Sequence, residues 1–168
     1  MPELSPQERL QPSLLDRLTD DAPDNSSEPR EKRIISVKEL KNSVQRDLSW
    51  LLNTRNLSPL LAEKDYPEVT CSVLNYGLSE LTGISSASLR RDKLERDLLK
   101  AIKQFEPRLI ANTIRLSARV NTTEANANAV TFELTAEMWA QPLPLQLYVE
   151  AEMDLENGAF SFKGQRIA

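Results

Sequence analysis

Near residue 110 the spacing of apolar residues changes from helical to strand-like, and no other feature of this chain limits the fold as much. Upstream, Val37, Leu40, Val44, Leu48, Leu51 and Leu52 recur every three or four residues, which predicts an amphipathic helix over about 36–53. Ser36 and Glu39 stand at capping-box spacing at its start, each able to satisfy the other's backbone N–H. Asn53-Thr54-Arg55-Asn56 ends it. A second long helix is predicted over about 89–105, with Ser88 as its cap and Leu94, Leu98, Ala101, Ile102 and Phe105 on its buried stripe. Its charges make a solvated face supported by pairs such as Arg91–Glu95 and Asp92–Arg96. Between the two, Tyr66-Pro67-Glu68 opens a short helix through Val69, Val73 and Leu74, which Gly77 stops in the left-handed conformation.

Downstream the period is two. Residues 114–120, 130–138 and 145–155 alternate apolar and polar side chains, the pattern of antiparallel strands with one face on the core and one on solvent. Asn157-Gly158 predicts a two-residue hairpin into a short return strand that holds Phe160 and Phe162. Helices first and strands after describe an α+β fold, with N-terminal helices packed on one face of a small antiparallel sheet.

A chain of 168 residues is the length of one ordinary domain. The expected division is a disordered, mobile tail over 1–33 and a single α+β domain over 34–168. Five of the ten prolines fall in the tail, and residues 19–30 have almost no apolar side chains to offset their ordering entropy. One island inside it reads as ordered: Ser13 caps a short helix near 13–18 that carries Leu14, Leu15 and Leu18. So short a helix needs a surface to lie on. That surface is either its own domain or a docking partner.

Composition removes whole classes of function. The chain has no histidine, so Ser–His and Cys–His nucleophile pairs and the commonest transition-metal ligand are missing. Cys71 is the sole cysteine, which leaves no intrachain disulfide and no cysteine-rich zinc site. The four glycines match no phosphate-cradling spacing. Neither a cofactor nor a metal is expected. The net charge of -4, spread along the chain without a basic stripe, speaks against nucleic acid. The N-terminus shows no signal-peptide pattern and no stretch reaches the ~18 apolar residues of a membrane span, so a cytoplasmic protein is expected.

One short segment breaks a local rule. In Phe105-Glu106-Pro107-Arg108-Leu109, Pro107 forces Glu106 out of the helical region and ends the second long helix. That leaves a carboxylate at a helix C-terminus, where the macrodipole disfavours it. Arg108 is the nearest compensation. The bland reading is an exposed ion pair that contributes little to stability; the functional one is a proline-fixed corner that presents Glu106 and Arg108 to another protein.

Five words of sequence, in order, resemble one family: Pro12-Ser-Leu-Leu-Asp-Arg-Leu18, Arg46-Asp-Leu-Ser-Trp-Leu-Leu-Asn-Thr54, Tyr66-Pro-Glu-Val69 leading to Ser72-Val-Leu-Asn-Tyr-Gly-Leu78, Leu81-Thr-Gly83, and Phe105-Glu-Pro-Arg-Leu109. The chain is similar to TssE, the type VI secretion baseplate subunit, related to the phage-tail baseplate wedge protein once called lysozyme-like. The departure is Ser79-Glu80, where relatives are expected to carry proline. The resemblance implies a structural assembly role. Glu106, Pro107 and Arg108 would contact the core bundle of TssF and TssG, with TssK reached indirectly. The sheet would template the contractile sheath of TssB and TssC by strand pairing, which is also how an open sheet edge is used. Two alternatives remain beside it: a peptidoglycan hydrolase (muramidase), which needs two carboxylates flanking the bond, and a cytoplasmic regulatory adaptor.

Overall fold

The computed structural model describes residues 10, 12–19, 23–24, 35–57, 66–79, 91–120, 129–140 and 143–163. Most of the expected tail over 1–33, the Ser88 cap and the Leu81-Thr-Gly83 word lie outside them. Among these residues four α-helices come first: α1 (Leu14–Leu18), α2 (Val37–Asn53), α3 (Pro67–Thr70) and α4 (Arg91–Phe105). Four strands follow: β1 (Arg115–Val120), β2 (Ala129–Met138), β3 (Leu145–Asp154) and β4 (Phe160–Lys163). The strands form one antiparallel sheet in the order β1-β2-β3-β4. The fold is therefore α+β.

The capping box of α2 is present: Ser36 Oγ accepts from the Glu39 N–H, and the Ser36 N–H donates to the Glu39 carboxylate at 2.7 Å. From there Leu40, Val44, Leu48, Leu51 and Leu52 turn inward, while Val37 stays 40% exposed. Leu94, Leu98, Ala101 and Ile102 of α4 join them over the inner face of the sheet, where Phe132, Leu134, Leu147 and Val149 are buried. Fully burying a side chain of this size contributes about 1.5–3 kcal/mol. The shared layer between two helices and a sheet is thus what holds the domain together.

Two local expectations are corrected. The helix opened by Pro67 ends at Thr70, and a separate 3₁₀ turn follows over Val73–Asn75. The cause is polar. Asn75 is buried, accepting from the Leu57 N–H at 3.1 Å and donating to the Thr70 carbonyl at 3.1 Å. Ser72 caps the new turn through the Leu74 N–H. Turning Asn75 inward leaves Val73 and Leu74 outside, 80% and 66% exposed. Gly77 does adopt a positive φ of 113°, but for a reason of packing: a Cβ there would stand 2.3 Å from the Thr54 carbonyl oxygen. That close approach lets the Leu78 N–H donate to Thr54 and the Asn56 N–H to Leu78, tying the 3₁₀ segment to the end of α2.

The second correction is the last hairpin. Its loop spans five residues rather than two, because the strands end at Asp154 and resume at Phe160. Asp154 folds over the loop, accepting from the Glu156 N–H at 2.7 Å and from Asn157 Nδ2 at 2.9 Å. This is the Asx-turn chemistry that competes with a tight turn. Gly158 supplies the positive φ of 70°.

Candidate functional site

The corner after α4 is built by four hydrogen bonds. The Glu106 N–H still donates to Ile102, completing the last helical turn. Pro107 then turns the chain, and the Leu109 N–H donates to Glu106. The Ile110 N–H donates to Glu137, and the Trp139 N–H donates to Arg108 at 2.7 Å. The corner is therefore stitched to the end of β2, with Leu109 bridging Met138.

Glu106 is not a surface carboxylate. It is 3% exposed, which corrects the expectation of an exposed ion pair. Both of its oxygens are engaged by Arg108. Nε donates to Oε1 at 2.7 Å, Nη2 donates to Oε2 at 2.5 Å, and the Arg108 backbone N–H adds a third bond at 3.1 Å. The fork geometry of the guanidinium matches the carboxylate, the arrangement in which such pairs are strongest. Arg108 also reaches across to α2, donating to Asp47 Oδ2 at 2.6 Å and to Ser43 Oγ at 3.3 Å. Burial works against its charge, but Glu106 and then Asp47 outweigh burial and raise its pKa.

The network continues along α2. Arg46 Nε donates to Asp47 Oδ1 at 2.8 Å. Its Nη2 lies 2.8 Å from the same oxygen without the alignment of a hydrogen bond, so that contact is electrostatic only. Arg46 Nη1 donates to Asp16 Oδ1 of α1 at 2.5 Å, and its guanidinium stacks 4.8 Å from the Trp50 ring centroid. Burial pushes the Asp16 carboxyl up, but hydrogen bonds from Arg46 and Ser13 together hold it below its ordinary value. The result is one chain of alternating charge: Asp16, Arg46, Asp47, Arg108, Glu106. Tyr76 closes one side, its ring edge-on to Phe105 at 5.2 Å and its hydroxyl donating to the Asp47 carbonyl at 3.4 Å.

Of the residues expected at the site, Glu106, Pro107 and Arg108 are together, with Pro107 exposed. Leu14, Leu15 and Leu18 do not pack on the domain: they are 71%, 48% and 74% exposed, and α1 buries no residue. Sequence reasoning missed Ser43, Arg46 and Asp47. A faint signal was present, since Ser43 and Asp47 are four apart on α2, beside its apolar stripe. A separate cleft of about 220 Å³, lined in part by Asn75, Lys93, Asp97 and Gln104, includes none of the charged residues of this network.

Helices over one sheet face, with the best-organised polar groups spent on pairing one another, define a small α+β structural domain. A family model for the baseplate wedge protein gp25 matches residues 38–143, which takes in the Ser43–Asp47 segment, Glu106, Pro107, Arg108 and Trp139. The chain belongs to that family, a structural family and the one that includes TssE. Comparison with curated proteins and with solved structures gives no match.

Proposed function

We propose that this chain is a cytoplasmic baseplate subunit of a type VI secretion system, joining the wedge core bundle to the contractile sheath. The observation that carries the reading is the family match, which spans the domain from α2 to the β2–β3 connection. In this reading the corner at 106–108 docks on TssF and TssG, with TssK attached indirectly, and the sheet pairs with a strand of TssB or TssC. The burial of Glu106 refines the roles. Arg108, Pro107 and Trp139 face the partner, while Glu106 holds the guanidinium in place. Trp139 supports this, being 61% exposed while its backbone N–H donates to the Arg108 carbonyl. Tryptophan and arginine are both among the residue types enriched at binding hot spots.

The peptidoglycan-hydrolase reading is disfavoured at this corner by geometry. A general acid needs a carboxyl that reaches the glycosidic oxygen, and Glu106 is buried with both oxygens taken by Arg108.

Co-purification with TssF and TssG tests the proposal. Trp139→Ala removes exposed surface and should leave the fold intact while weakening binding at least tenfold. Arg108→Lys, which keeps the charge and loses the fork, should weaken it as well. If both folded variants bind as the parent does, the docking assignment is wrong.

A further inference from the structure

The way α1 is attached points to a ligand site on α2. The helix has five residues and none is buried. Among the described residues the Asp16–Arg46 ion pair ties the helix to the domain, and ahead of it partly buried Leu10 packs against the core and accepts from the Ile35 N–H at 3.1 Å. Its apolar side chains, the usual reason for a short helix to stay docked, point away. Arg46, besides its bond to Asp16, has contacts of its own with Asp47 at 2.8 Å on one side and the Trp50 ring at 4.8 Å on the other. The receiving group keeps partners of its own, whereas the five residues of the occupant bury no side chain.

We propose that Arg46, set between Asp47 and Trp50, is a seat for a carboxylate side chain from an acidic segment of a partner, and that Asp16 fills it in cis as a detachable stand-in. The ligand chemistry is on display, since a carboxylate already sits on Nη1. The seat is also continuous with the proposed docking corner, because Asp47 bridges Arg46 and Arg108. A partner carboxylate would displace α1 and join the charge chain at the position Asp16 leaves. This rests on the wedge-docking reading for the identity of the partner, but not for the existence of the seat.

The test uses the full chain in a Trp139→Phe background, so that Trp50 alone reports, and a glutamate-rich peptide titrated at low ionic strength. Asp16→Asn should bind the peptide at least tenfold more tightly than the parent, and Asp16→Asn with Arg46→Met should lose that gain. Equal binding by all three overturns the seat. The same variants, with Trp139 restored, are then offered to the TssF–TssG complex, where the same order is expected. If the peptide order holds and no variant binds the complex, the seat stands and the wedge reading fails. If the complex binds but Asp16→Asn brings no gain, α1 does not guard the seat and the stand-in role is overturned.

Discussion

Arg108 shows how a residue's position in three dimensions reverses the effect expected of it. An exposed pair with Glu106 would contribute ~0–1 kcal/mol, and losing it would leave the melting temperature nearly unchanged. Glu106 is instead buried, and its only charged partner among the described residues is Arg108. Removing the arginine strands a carboxylate in the interior, which typically costs about 3–5 kcal/mol. Arg108→Ala should fall near the lower end, because the guanidinium keeps some solvent contact. The shift in the urea unfolding midpoint measures it. Arg108→Met combined with Glu106→Gln should cost less than the sum of the two single changes, as expected of directly coupled groups. A purely surface pair would give additive, near-zero values.

At the scale of elements, side chains from the helices finish the sheet. Asn53, the last residue of α2, accepts from the Phe160 N–H at 2.9 Å and donates to the Phe160 carbonyl at 3.0 Å. Glu95 of α4 accepts from the Ala118 N–H at 2.8 Å. Each thus caps a backbone group on an outer strand, one on β4 and one on β1, as edges of native sheets are commonly covered. Asn53→Ala should cost about 1–2 kcal/mol, the range for two hydrogen bonds of modest net worth. It should also speed amide exchange at Phe160 well before exchange in β2 changes. Unaltered exchange at Phe160 would mean that the cap adds nothing to β4.

For the whole molecule, the meander order decides where another chain can pair. Among the described residues β1 pairs only with β2 and β4 only with β3. The Ala118 N–H points out of the sheet toward Glu95, and with it by alternation the Leu116 N–H. Proline at an outward position removes a donor to an incoming strand while sparing the internal ladder. Ala118→Pro gives up the Glu95 bond, which an incoming strand would have to displace, but no bond of the ladder, and should therefore fold, as judged by circular dichroism and a cooperative melt. Ala136→Pro, in the central strand β2, should not. Under the proposed role, the folded Ala118→Pro variant should no longer support sheath assembly if β1 is the edge used. Normal sheaths from it would direct attention to β4.

The sequence alone determined the class of fold, because helical and strand periods are local properties written in consecutive residues. The 36–53 helix, its capping box, the strands read at 114–120, 130–138 and 145–155, and the return strand with Phe160 and Phe162 were legible for that reason, to within a residue of those observed. The words around Glu106-Pro-Arg108 also sufficed to suggest the family that the match over 38–143 establishes. Only the tertiary structure decided what depends on residues far apart in the chain. Whether Glu106 is buried or exposed turns on Arg108 being held by Ser43 and Asp47, some sixty positions upstream. The break after Thr70 turns on Asn75 finding the Leu57 N–H, and the exposure of α1's leucines on Asp16 finding Arg46. A buried polar group is tolerable only where partners converge on it. Those partners are supplied by packing, which no local pattern records.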